Sequence, residues 1–81
     1  MGDDLIVYTR PGCGYCMRLE RALTASGIAY VTVDVWDDHE ASRFVRSVNN
    51  GHETVPTVVL GDEVLSNPHP DEVIARMTGG G

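Results

Sequence analysis

Thr9-Arg10-Pro11-Gly12-Cys13-Gly14-Tyr15-Cys16 holds both cysteines of the chain, three positions apart. On a helix, side chains at i and i+3 share a face with Cβ atoms about 5–6 Å apart, and a disulfide needs Cα atoms about 4.4–6.8 Å apart. The spacing therefore permits both a closed bridge and an open dithiol with little backbone movement. The apolar run Leu5-Ile6-Val7-Tyr8 just before it reads as a buried strand. The segment from Cys16 to Ser26 reads as a helix, with Cys16, Leu19 and Leu23 as its inward stripe and Gly27 as its C-cap. A cysteine pair carried from a strand into a helix start points to a redox site.

The competing reading is a structural metal knuckle. Zinc in a closed site takes four ligands, so two histidines would have to join the cysteines. His39, His52 and His69 are 13 and 17 residues apart, whereas zinc-finger histidines are spaced by only about three to five residues. That pairing fails, and no metal ligand set is expected.

Outward from the cysteines, Tyr30 to Val35 alternates, with Val31, Val33 and Val35 on one face of a second strand. Strand, helix, strand implies a right-handed unit with parallel neighbours. Asp37, with Glu40 three residues on, resembles a capping box and predicts a helix start. Ala41, Phe44, Val45 and Val48 keep helical period until Asn49-Asn50-Gly51 stops it, with His39 on the exposed face. Trp36, at a strand end, is expected to pack rather than to meet a partner. Thr57 to Leu60, Gly61-Asp62 and Glu63 to Leu65 read as an antiparallel hairpin. Pro70 suits the first turn of a last helix that carries Asp71 and Glu72 near its positive end and turns Val73, Ile74 and Met77 inward. The predicted order is β-α-β-α-β-β-α in one domain over residues 1–81, with 78–81 as a flexible tail.

A formal charge of −6 and the absence of any Lys argue against nucleic acid, which needs clustered cations. Residues 10–21 nevertheless carry a net charge of +2 and the remainder −8, so the positive stretch is the cysteine stretch. Arg10 is the best placed of its arginines to favour a thiolate. No apolar run reaches the roughly 18 residues that span a bilayer. The acidic start Met1-Gly2-Asp3-Asp4 is unlike a signal peptide, and Ile6 stands where a myristoylation signal has Ser or Thr. A two-cysteine chain of this kind fits the reducing cytoplasm.

The attacking species is a thiolate, and an ordinary thiol is mostly protonated at neutral pH. Cys13 precedes the helix, where unpaired N–H groups and the macrodipole favour an anion. Cys16, within the first turn, should be more buried and less acidic. Cys13 is therefore the nucleophile and Cys16 the resolving thiol. Gly14 leaves access to Cys13, and the Tyr15 ring could flank a bound substrate. Val55-Pro56 is a second place of interest: a cis bond near Cys13 would leave Val55 backbone groups free to pair with an extended substrate.

The element order, the stretch Tyr8 to Cys16 and Thr54-Val55-Pro56 together resemble the glutaredoxins, over nearly the whole chain. The resemblance implies a thioredoxin fold, a four-stranded mixed sheet flanked by three helices. It also implies a cis Pro56, pairing of Val55 with the substrate cysteine's backbone, and a thiol-disulfide oxidoreductase that works as a monomer without a bound cofactor. Family members that use glutathione carry Gly-Gly before the last helix, where this chain has Ser66-Asn67-Pro68-His69-Pro70-Asp71. Cys-Gly-Tyr-Cys, Leu23-Thr24-Ala25, Ser47-Val48-Asn49 and Asn67-Pro68 before Asp71 are most similar to the mycoredoxin branch. That likeness implies mycothiol as co-substrate, with Arg10, Tyr15, Thr54, Val55, Pro56, Asn67 and Asp71 binding substrate. It further implies low-molecular-weight thiols and thiolated or disulfide-bonded proteins as partners, and NADPH acting indirectly through a flavoprotein disulfide reductase.

Two rivals stand beside it. Small redoxins that feed ribonucleotide reductase from thioredoxin reductase have a similar segment before the last helix, but its middle differs here, as does Gly14-Tyr15. Some dithiol glutaredoxins instead carry a [2Fe-2S] cluster between two copies, with four sulfur ligands.

Overall fold

Alternation along β1 (Leu5–Thr9) divides the protein into layers. Leu5 and Val7 pack with Leu19, Leu23, Val58 and Val73, while Tyr8 packs with Val35, Ala41 and Val45, because successive strand residues point to opposite faces. The computed structural model describes residues 5–79. After β1 come α1 (Gly14–Ala25), β2 (Val31–Asp34), α2 (His39–Ser47), β3 (Thr57–Leu60), β4 (Glu63–Ser66) and α3 (Pro70–Met77). α1 and α3 contact each other and contribute Leu19, Leu23 and Val73 to the first core cluster. α2 covers the opposite face, where the Phe44 and Tyr8 rings meet at 5.2 Å between centroids.

The sheet runs β2-β1-β3-β4. β1 pairs parallel with β2, Thr9 opposite Asp34, and antiparallel with β3, Tyr8 opposite Thr57. β3 pairs antiparallel with β4, Thr57 opposite Ser66. In consequence the ends of β1, β2 and β4 and the start of β3 lie along one edge. The segments around Cys13, Trp36, Pro56 and Asn67 all leave the sheet there.

Cys16, Leu19 and Leu23 are buried as their spacing predicts. α1 ends in a Schellman motif: Gly27 N–H donates to Thr24 O and Ile28 N–H to Leu23 O, each at 3.0 Å. Gly27 holds φ at +72°, a conformation glycine adopts without steric cost. The Gly61-Asp62 hairpin and Pro70 in the first turn of α3 also match the sequence reading.

Six expectations are corrected. α1 begins at Gly14, two residues before the predicted Cys16, because Cys13 itself is the N-cap. α2 is capped by Asp38, not Asp37: its Oδ1 accepts from the Glu40 and Ala41 N–H groups at 3.0 and 3.1 Å. Asp37 instead closes a turn through its N–H to Asp34 O. Val48 is the C-cap of α2 and is 38% exposed, so the inward stripe is Ala41, Phe44 and Val45. Trp36 does not pack: the chain turns immediately after β2, with Trp36 N–H on Asp34 Oδ1, and leaves the indole 65% exposed. Val31 likewise is exposed, at the outer strand of the sheet and away from the cluster that holds Val33 and Val35. Thr78, which the sequence reading assigned to a flexible tail, caps α3 and donates its hydroxyl to Ile74 O. Gly80 and Gly81 lie outside the described residues.

Candidate active site

Cys13 occupies the N-cap of α1 in an extended conformation, φ −85° and ψ 108°, and its Sγ accepts the Cys16 N–H at 3.2 Å. A helix N-terminus leaves its first N–H groups without intrahelical partners and concentrates the positive end of the macrodipole. Here one of those N–H groups is directed at the Cys13 sulfur. Cys13 is half-buried, and the next residue, Gly14, has nothing within 4 Å of the place a Cβ would take, so the approach to the sulfur stays open.

Cys16 differs in every respect that matters. It is fully buried. Burial pushes its thiol up from 9.0 to about 11, and the hydrogen bond with Cys13 adds to the effect, while the Thr9 side chain and Arg10 backbone oppose it. Both cysteines are free thiols. The pair therefore consists of an accessible sulfur and a buried, protonated one, as its place in the sequence predicts.

The Cys13 thiol donates to the Val55 carbonyl across 4.0 Å. The Val55–Pro56 bond is cis, as the family resemblance implies, and Pro56 is buried. Several side chains hold this loop. Thr57 Oγ1, itself without exposure, donates to Thr54 O at 2.7 Å. Asn49 Nδ2 donates to Thr57 Oγ1 at 3.2 Å and to Val45 O at 2.7 Å, and Asn49 Oδ1 accepts from Ser66 Oγ. On the other flank, Asn67 N–H donates to Pro56 O at 2.8 Å.

Tyr15 and Asn67 lie apart in sequence but line one cavity of about 200 Å³, together with Arg18, Pro68, His69 and Pro70. Tyr15 is 66% exposed, and Asn67 holds φ at +47°. Asp71 does not line that cavity. Its N–H caps onto His69 Nδ1 at 3.1 Å, and its carboxylate is almost fully exposed. Arg10 pairs with Glu53 at 3.8 Å, and Ser42 Oγ donates to the other Glu53 oxygen at 2.6 Å. The guanidinium is thus part of a chain running from β1 through Glu53 to α2. Trp36 is exposed on the same sheet edge.

Sequence reasoning assigned no site role to Ser42, Asn49, Glu53 or Thr57. Thr57 had a signal: a hydroxyl at the start of an otherwise apolar strand, Thr57-Val58-Val59-Leu60, in a buried position. Asn49 had none beyond its place at a helix stop.

The chain is similar to proteins of known family. The glutaredoxin family model matches residues 5–65. A Mycobacterium tuberculosis protein named provisionally as a glutaredoxin is 51% identical over 74 residues, covering 90% of this chain and 88% of that one. Mycoredoxin 1 of Corynebacterium glutamicum is 39% identical over 76 residues, covering 93% and 94%. Among solved structures, the glutaredoxin-like NrdH-redoxin of Escherichia coli, described as having a thioredoxin-like activity profile, superposes with a TM-score of 0.77 at 28% identity, covering 88% and 91%. The mixed sheet and its three helices are accordingly the thioredoxin fold. An accessible sulfur at a helix start, a buried partner thiol and a sequence match that runs almost end to end make the chain a member of the glutaredoxin family, a mycoredoxin-like thiol-disulfide oxidoreductase.

Proposed function

We propose that the protein reduces mixed disulfides between mycothiol and protein thiols, with Cys13 as the only one of its own two sulfurs that reacts in each turn. The observation that carries the proposal is the half-buried Cys13 Sγ, which accepts a helix N–H at 3.2 Å and adjoins the Val55 backbone at 4.0 Å. The Cys13 thiolate attacks the mycothiol sulfur. The target's sulfur departs with the electron pair of the broken S–S bond and takes up a proton, and Cys13 is left bonded to mycothiol. A second mycothiol thiolate attacks that mycothiol sulfur, which regenerates the Cys13 thiolate and yields mycothiol disulfide. A flavoprotein reductase using NADPH returns the disulfide to thiol. Cys16 enters only when the substrate is a protein disulfide, closing a bridge to Cys13.

Mycothiol lacks the γ-glutamyl carboxylate of glutathione, and the loop before α3 has Asn67-Pro68 in place of a glycine pair. The cavity lined by Tyr15, Arg18 and Asn67 is the candidate seat for its sugar. Arg10, Thr54, Val55 and Pro56 would face the protein partner, and Asp71 would reach the thiol only from its exposed position at the start of α3. The protein acts as a monomer in the cytoplasm. Among the described residues no helix is long and apolar enough to cross a membrane.

The test supplies NADPH with either mycothiol and its disulfide reductase or thioredoxin reductase, and follows release of mycothiol from a mixed disulfide. Turnover with the first system supports the proposal. Turnover only with thioredoxin reductase assigns the protein to the ribonucleotide-reductase redoxins instead.

A further inference from the structure

We propose that Asn49 is a positioning residue for thiol exchange, acting through the Thr57 hydroxyl to hold the Thr54-Val55 backbone against Cys13. The inference rests on the reading that this backbone meets an extended substrate.

A threonine hydroxyl has one proton to donate. That of Thr57 goes to Thr54 O at 2.7 Å, so toward Asn49 the same oxygen must accept, which it does from Nδ2 at 3.2 Å. The chain of bonds therefore has one direction, from the Asn49 amide through the Thr57 hydroxyl to the Thr54 carbonyl. Thr57 has no exposure, so water cannot replace either partner. Asn49 is tied down in turn. Its second N–H goes to Val45 O, in the last turns of α2, and its oxygen accepts from Ser66 at the end of β4. Three elements thus converge on one amide, and the residue they jointly fix is Thr54, immediately before Val55. Asn67, next to Ser66, completes the clamp through its N–H on Pro56 O. The side-chain hydrogen bonds of Asn49 go to Val45, Thr57 and Ser66 and not to a sulfur, which makes its role one of position.

Loosening the clamp should weaken recognition of a substrate that has a backbone to pair, and should spare chemistry that needs only the sulfur. The reduced protein would be reacted in single turnover with two oxidants: a peptide whose central cysteine is disulfide-bonded to cysteamine, and bis(2-hydroxyethyl) disulfide, which has no peptide backbone. Asn49→Ala and Thr57→Val are expected to raise the half-saturating peptide concentration about five- to tenfold, the range that one lost hydrogen bond covers. Reaction with bis(2-hydroxyethyl) disulfide and alkylation of Cys13 by iodoacetamide should stay within about twofold of wild type, and Thr57→Ser should restore peptide recognition. Equal losses on both oxidants, or no loss on the peptide, would overturn the proposal. Should Asn49→Ala fail to fold, the Thr57→Val and Thr57→Ser pair decides alone. The underlying reading has its own control: wild type should discriminate against the peptide methylated on the backbone nitrogens beside its cysteine. Lack of discrimination there removes the substrate-pairing reading, whereas discrimination with unaffected variants removes only the role of Asn49.

Discussion

The Cys16 N–H points at the Cys13 sulfur from 3.2 Å, while the Cys16 thiol is itself sealed from solvent. One residue thus serves its partner through the backbone and keeps its own sulfur in reserve. Cys13→Ser is expected to abolish turnover on every substrate. Cys16→Ser keeps the N–H and should retain turnover on mixed disulfides while losing protein disulfides. Equal loss in both variants, measured on a mycothiol mixed disulfide, would contradict the one-sulfur route.

The raised Cys16 thiol also couples stability to alkaline pH. Its folded value of about 11 lies above the ordinary 9.0, so the folded state holds the proton more tightly than the unfolded chain. The associated stabilisation, on the order of 2 kcal/mol, is present below about pH 9 and falls away as the pH rises toward 11. Urea denaturation across that range should show the loss in wild type and a smaller one in Cys16→Ser. The same burial should slow attack by the Cys16 sulfur at neutral pH. In the mixed disulfide the Cys13 contributions vanish, but burial, the largest cause, remains. Closure of the internal bridge should therefore accelerate steeply with pH, since its rate follows the thiolate fraction.

Asp38 and Asp37 offer a neighbouring pair with opposite expectations. Asp38→Ala removes an oxygen that accepts two N–H groups at the start of α2 and should cost about 1 kcal/mol. Asp37→Ala removes no such acceptor and should stay within about 0.5 kcal/mol of wild type. Chemical denaturation of the two variants separates them.

Arg10 and Glu53 pair at 3.8 Å with Arg10 substantially exposed, so Arg10→Gln should change stability by less than about 1 kcal/mol. The larger effect is electrostatic. Glu53→Gln leaves the guanidinium uncompensated beside the cysteine loop, and alkylation of Cys13 near neutral pH should speed up a few-fold. The gain should fade in 1 M salt, where charges are screened beyond about 3 Å. An unchanged rate would mean that the Arg10 charge does not reach the sulfur.

Asn67 separates backbone from side chain. With φ at +47°, replacement by Ala should destabilise by roughly 1 kcal/mol, whereas Gly should be close to neutral. Both remove the side-chain amide of a residue that lines the cavity with Tyr15. A loss of affinity for mycothiol common to the two variants would belong to that amide.

The parts of the fold that were legible in the sequence rest on repetition. Cys16, Leu19 and Leu23 are on one stripe, Ala41 and Val45 on another, and Gly61-Asp62 joins two short runs; each reading uses several residues that agree. The cysteines were legible for the same reason, because a strand, a turn and a helix start all frame them. Features that depend on one atom were not. Whether Asp37 or Asp38 caps α2 turns on a single residue of register, which no periodicity fixes. The exposure of Trp36 follows from where the chain turns after β2. The convergence of Asn49, Thr57 and Ser66 arises only once α2, β3 and β4 have been brought together, and none of the three is close in sequence to Cys13.

Because every loop of the site leaves the sheet along one edge, the opposite edge carries none of the candidate site residues. The Gly61-Asp62 turn and the link from Ser26 to Tyr30 stand there, a strand's length, roughly 10 Å or more, from the ends that carry the chemistry. A tether, a dye or a second domain spliced into that turn would travel with the protein without crossing the path of its substrates. The redox unit is in this sense already modular, with a handle on one side and a working end on the other.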